Sequence, residues 1–335
     1  MNESTISLSE RLRKARQLSR EKHRESDRQK FGYLRAGNSG IMSESGDIAG
    51  QCHRIAHLRQ LGIDIDEPEY SKLIMFERGF NNEDMIYADL KATLNPGETI
   101  LREEEIPTEW STTNGTKVSG RPDMVICKPS TEIQNGELKI TGNNPILGIE
   151  IKSIASFWTA KSVLFSNEPK LPHLCQAAHY MWQMNIPWRL IYRQYSNLLI
   201  PDWGWLIKQL PKEGEPNSEY IAWNQKTGKP KQLEPFELTF SLRLQNQRLQ
   251  YKKEEDPDSA WTSTLITIPD IVRYYEFTSK MASEKKLGPL PSEINCKGEK
   301  LNYNHADYCS LGDLCKNAEE MDYDVWLKAV RKLVK

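Results

Sequence analysis

The sequence predicts an α/β protein with a mixed central sheet flanked by helices. Two observations lead there. Between residues 121 and 153 lie two short β-rich runs, RPDMVICK and PILGIEIKS, and the segment joining them contains NGEL, a hairpin turn signal. On both sides of that block, apolar residues recur at helical spacing. At 335 residues, the chain can hold one large domain or two ordinary ones, and no internal repeat is visible.

In chain order, residues 7–29 read as a polar, basic helix, and RAGNSGIMSESGDIAG (35–50) as a Gly- and Ser-rich loop. QCHRIAHLRQLGI follows as a helix with Ile55, Leu58 and Leu61 at helical spacing, ending at Gly62. Residues 70–94 form a second helical region, with Leu73, Phe76, Met85, Ile86 and Leu90 as the expected apolar face. After the β-rich block, LPHLCQAAHYMWQM (171–184) returns to helical spacing, and WRLIYRQY (188–195) is a strand. FELTFSLRLQNQRLQYKK alternates as a strand pair or one long strand. Residues 270–286 and the tail VWLKAVRKLVK read as helices, while KEGEPNSEY and EEDPDSA read as surface loops.

The composition is 38% hydrophobic and 27% charged, ordinary for a globular protein. No stretch approaches a membrane span, and the first residues lack the apolar core of a secretory signal, so the expected location is cytoplasmic. The net charge of −1 neither favours nor excludes nucleic acid. Residues 1–36, however, carry ten basic side chains against five acidic ones. Such an arm can neutralise phosphates, and it can equally be a solvated helix of mixed charge. The expected organisation is a basic extension over 1–45 and a folded region over 46–335.

The chemistry concentrates in two short stretches. In ILGIEIKSI (146–154), strand alternation sends Leu147, Ile149 and Ile151 to one face. Gly148, Glu150 and Lys152 take the other face, with Gly148 leaving room beside the charges. A buried charge pair adds little stability, because desolvation offsets its attraction, so the pair asks for another reason. Upstream, Pro122 favours an extended approach and Asp123 heads the strand MetValIle. An adjacent strand can bring Asp123 beside Glu150, and two convergent carboxylates suit Mg²⁺ or Mn²⁺. A neighbouring lysine can position water or balance charge on a phosphate.

Pro122-Asp123 followed by Glu150-Ile151-Lys152 resembles the signature of the PD-(D/E)xK nucleases, whose core is restriction-endonuclease-like. Gln176 and Tyr180, four apart on one helical face, resemble the Q-x-x-x-Y helix of the RecB-like branch, which includes AddB-type and CRISPR-associated exonucleases. The resemblance implies that Asp123, Glu150 and the Ile151 backbone carbonyl hold Mg²⁺ or Mn²⁺, that Lys152 acts on the nucleophilic water, and that Gln176 and Tyr180 serve the site or the DNA. Where that branch carries a histidine four residues after glycine, this chain has Glu83 after Gly79. A carboxylate suits a hard ion, so Glu83 is assigned to the metal as well.

Of six cysteines, Cys127, at a strand end, and Cys175 read as small buried residues. Cys52, Cys296, Cys309 and Cys315 resemble the four-cysteine set of the iron–sulfur RecB-like nucleases, which fastens the chain's end to its beginning through a [4Fe–4S] cluster. Twelve residues stand between Cys296 and Cys309, where that subset has two. The spacing equally allows Zn²⁺, with His305 as a further ligand, or four unrelated thiols. Trp158, Trp182, Trp188, Trp203 and Trp205 read as core or as stacking surfaces for bases, and Lys161 and Lys170 could contact phosphate, as could many surface lysines. His179 reads as helix packing, and His173 stays open. The resemblance implies a DNA exonuclease acting on single-stranded or end-processed DNA, alongside recombination or replication proteins. The alternatives are a structure-specific endonuclease or a DNA-binding scaffold with a degenerate site.

Overall fold

The computed structural model describes residues 32–50, 52–63, 70–106, 109–134, 137–256, 258–287, 311, 314–315 and 321–333. Residues 1–31 of the basic arm, His305, Cys296 and Cys309 therefore lie outside the described residues. The helices are α1 (His53–Gln60), α2 (Tyr70–Thr93), α3 (Phe157–Ser166), α4 (Leu171–Met184), α5 (Ile268–Ser283) and α6 (Tyr323–Leu333). A mixed sheet of seven strands forms the largest element: β1 (Thr99–Arg102), β2 (Met124–Gln134), β3 (Glu137–Ser153), β4 (Trp188–Gln194), β5 (Phe236–Gln245), β6 (Arg248–Lys253) and β7 (Thr262–Thr267).

The strands lie side by side in chain order, β1 through β7. Every neighbouring pair is antiparallel except β3 and β4. A parallel pair needs a crossover, and α3 and α4 provide it. Both helices carry readable boundaries. The Ser156 hydroxyl accepts from the Thr159 N–H at 3.2 Å and caps α3. Asn167 and Asn185, with φ of 53°, take the left-handed conformation that ends α3 and α4.

One sheet face holds Met124, Ile126, Ile149, Ile151 and Ile191 in a single apolar cluster with Ile86 of α2, against which Tyr87 and Leu90 also pack. The expected core beneath Ile149 and Ile151 is present. Met85 departs from expectation: half its surface is exposed, at 50%, because Ile86 rather than Met85 turns inward. Leu73 and Phe76 lie outside the described side chains.

The chain divides into two compact units, one of residues 78–108 and 120–271, the other of 1–77, 109–119 and 272–335. The sheet, α3 and α4 belong to the first unit. Within the second, Cys52, Ile55, Leu58, Leu311, Cys315, Trp326 and Val330 share one apolar core. Leu61 lies at the end of α1 and is 41% exposed, so the expected stripe stops at Leu58. The region read as a loop holds a small antiparallel ribbon, Gly40–Met42 against Ile48–Gly50. Cys127 sits inside β2 rather than at its end, and both it and Cys175 are fully buried. The strand pair β5 and β6, and the helices α4, α5 and α6, fall where hydrophobic spacing placed them.

Candidate active site

The register of β2 against β3 pairs Met124 with Ile149, so Asp123, the residue before Met124, arrives beside Glu150. The Ile151 N–H donates to Asp123 Oδ2 at 2.6 Å. Lys152 Nζ donates to Glu150 Oε1 at 2.6 Å and to Gln176 Oε1 at 3.0 Å. Gln176 Nε2 in turn donates to the Tyr180 hydroxyl at 3.2 Å, which also accepts the Arg121 N–H at 3.1 Å. Asp123, Glu150, Lys152, Gln176 and Tyr180 thus form one connected network. It joins the end of β3, the start of β2 and one face of α4.

Gly148 plays a different part from the expected one. It does not leave open space beside the charges. A Cβ there would meet Trp188 Cζ3 at 2.0 Å, because the indole lies flat over the glycine. Trp188 also stacks on Tyr180, with centroids 5.4 Å apart and planes 27° apart. Gly148 therefore seats the aromatic pair that backs the network.

The electrostatics are strongly acidic. Burial raises the Asp123 carboxyl well above its ordinary value, and Glu150 adds to the rise, against the pull of Lys152 and the Ile151 N–H. Burial also raises Glu150, opposed by Lys152. Glu83 is raised to about 8, first by burial and then by Asp123 and Glu103. Burial alone would lower Lys152, but Glu150 and Asp123 together hold its ammonium above the ordinary lysine value. Glu83 therefore interacts electrostatically with Asp123, Glu103, Lys152 and Arg102.

Sequence reading missed Glu103. It acts on Glu83, Asp123 and Glu150 alike, from the turn just after β1. Its only signal was the acidic run REEE closing a strand, which reads as a solvated loop. Arg102, the other nearby cation, is shared with Asp84 at 2.7 Å. Glu150 Oε2 is buried and has no hydrogen-bond partner among the described residues. An oxygen-only donor set with excess negative charge and an orphaned buried oxygen fits a hard divalent cation. Among the described residues, no group of three or more His, Cys, Asp or Glu side chains is placed to hold a metal ion.

His173 Nδ1 meets the Tyr192 hydroxyl at 2.8 Å, so this histidine supports β4 beside the site. His179 is fully buried against Tyr180 and Trp182, as helix packing requires. Trp188 is core, whereas Trp158, Trp203 and Trp205 are half exposed. In the second unit, Cys52 and Cys315 share a core, and Arg54 Nη1 donates to the Cys315 carbonyl at 3.3 Å.

Comparison with models of known protein families, with curated proteins and with solved structures returned no match. Among the described residues, no helix is long and apolar enough to cross a membrane.

Proposed function

We propose that the chain is a metal-dependent deoxyribonuclease of the PD-(D/E)xK, RecB-like kind, cutting DNA as an exonuclease. The observation that carries this reading is the joining of Asp123, Glu150 and Lys152 across adjacent strands, with Gln176 on Lys152. Asp123, Glu150 and Glu83 would hold Mg²⁺ or Mn²⁺, with the Ile151 carbonyl beside them. When bound, the ion supplies Lewis acidity toward the phosphate and a water of lowered pKa.

The residues of the chain do the remaining work. Lys152, pinned between Glu150 and Gln176, is preorganised to orient a water or balance phosphate charge without rearranging. Tyr180 fixes the Gln176 amide and thereby the lysine. Asp123, tied to the Ile151 N–H, holds its carboxylate at the strand end. Single-stranded or end-processed DNA is the substrate form this reading takes, with work in replication, recombination or repair.

The test uses the purified full chain with Mn²⁺ and single-stranded DNA labelled at either end. Labelled mononucleotides or short products should accumulate, and Glu150→Ala should reduce the rate about a hundred- to a thousandfold, as loss of a group acting on transition-state charge does. Equal digestion by Glu150→Ala would overturn the reading. DNA binding without digestion would instead favour a scaffold, a reading that the glutamate at position 83 keeps in view. For the cysteines, we propose a [4Fe–4S] cluster held by Cys52, Cys296, Cys309 and Cys315. Brown protein whose visible absorbance disappears in Cys309→Ser supports it, and colourless protein with stoichiometric zinc counts against it.

A further inference from the structure

Trp158, Trp203 and Trp205 gather three indoles that the network above does not use. They are 45%, 49% and 53% exposed. Their centroids lie 5.7 Å (158–203), 6.2 Å (158–205) and 5.8 Å (203–205) apart. The planes differ by 33°, 12° and 26° in the same order, so the rings present nearly parallel faces. Neighbouring residues explain why the rings stay outside. Phe157 is buried and anchors α3, and Leu206 is fully buried and anchors the helical turn Gly204–Ile207. A cluster of half-exposed tryptophans is unusual on a surface that has no binding task.

The cluster is linked to the carboxylate strand through the chain and through Lys170. Trp158 follows Lys152 by six residues, so the two backbones are at most about 20 Å apart. Tyr192 pairs with Lys152 in the parallel ladder, and its hydroxyl accepts the Lys170 N–H at 2.9 Å. Lys170 Nζ reaches Thr159 Oγ1, next to Trp158, at 3.5 Å. Among the described residues, no carboxylate pairs with that ammonium. Lys161 Nζ donates to the neutral Gln209 Oε1 at 3.0 Å, which also leaves its charge uncompensated. The nearby acid Asp202 is taken by Lys229 at 3.4 Å.

We propose that these three tryptophans are a stacking platform for the bases of single-stranded nucleic acid, and that Lys170 takes a phosphate between platform and carboxylate site. Flat parallel rings beside uncompensated ammonium groups match what a single strand offers, which is exposed base faces on a charged backbone. The proposal rests on the nuclease reading for its choice of nucleic acid and deepens it by naming the surface that takes the single strand. Stacking tolerates every base, so the platform confers strand preference without sequence preference.

The test compares two fluorescent ligands on the full chain in EDTA: oligothymidylate, and an abasic strand of equal length and charge. The wild type should bind oligothymidylate about tenfold or more tightly, with quenched tryptophan emission. Trp203→Ala with Trp205→Ala should erase that preference and leave abasic binding unchanged. Lys170→Gln should weaken both ligands and reduce the salt slope by about one. A wild type indifferent to bases overturns the proposal even if the variants misfold. So does a double variant that keeps the preference, or one that changes only the sedimenting mass, which would make the patch a self-interface. Cleavage in Mn²⁺ is read separately. Base preference without cutting sinks the nuclease reading alone, and cutting without base preference sinks the platform alone.

Discussion

At single residues, the site depends on a missing side chain as much as on charges. A methyl group at residue 148 would fall 2.0 Å from the Trp188 ring, and that ring is fully buried and stacked on Tyr180. The indole has nowhere to retreat, so Gly148→Ala should destabilise the protein by about 2–3 kcal/mol through overpacking. Urea denaturation measures this, and adding Trp188→Leu should recover part of the loss. If Gly148→Ala is neutral, the close seat of the indole is wrong. His179 makes a second prediction. Burial lowers its pKa from 6.5 to about 3. The native state therefore binds fewer protons than the unfolded chain, so stability is fully present above about pH 6.5 and declines as pH falls toward 3. From pH 7.5 to 5.5, this histidine alone should cost on the order of 1 kcal/mol. Denaturant midpoints at the two values should separate less in His179→Leu than in the wild type, and equal separation would remove His179 as the cause.

Among elements, the decisive arrangement is β2 antiparallel to β3 with α4 laid across them. The register brings Asp123 to Glu150, and α4 offers Gln176 and Tyr180 one turn apart. Tyr180 is the hinge of this arrangement, since its oxygen accepts from both the Arg121 N–H and Gln176 Nε2. Tyr180→Phe keeps the ring stack and strips that acceptor, leaving two donors unsatisfied. It should lower stability by about 1–2 kcal/mol and lower kcat more than it raises KM, because Gln176 then no longer holds Lys152. An unchanged kcat with unchanged stability would show that the tyrosine acts only as packing. These elements were legible in the sequence because each has a clean period: alternation in ILGIEIKS, and 3.6-residue spacing in LPHLCQAAHYMW. Other features had no such signal. Met85 and Ile86 are equally apolar, and only packing decides which one turns inward. Glu103 belongs to the site through the turn after β1, a matter of tertiary approach rather than spacing. Trp158 and Trp203 meet across 44 intervening positions, and no local pattern marks that meeting.

Across the whole molecule, the two compact units are interleaved in sequence, with residues 109–119 belonging to one while their flanks belong to the other. A reading along the chain looks for contiguous domains, so it cannot find this division: α2 and α5 each run through a boundary without a break in pattern. The division has a measurable consequence. In the unit holding α1 and α6, the buried Arg54 donates to the Leu287 carbonyl at 3.1 Å and to the Cys315 carbonyl at 3.3 Å. Leu287 keeps a second partner in His53 Nε2 at 2.9 Å, so the exposed liability of removing the guanidinium falls on Cys315. Arg54→Met retains the apolar stem and should cost about 2–4 kcal/mol, the range for stripping a charged donor from a buried acceptor. Native-state hydrogen exchange locates that cost. If the units open separately, the amides of α1 and α6 exchange faster while those of β2, β3 and β4 keep their protection. Uniform acceleration in both would show instead that the chain opens as one cooperative body. In the first outcome, the DNA cleavage proposed above should persist in Arg54→Met at temperatures where α1 and α6 are already loosened, because Asp123, Glu150, Lys152, Gln176 and Tyr180 all reside in the other unit.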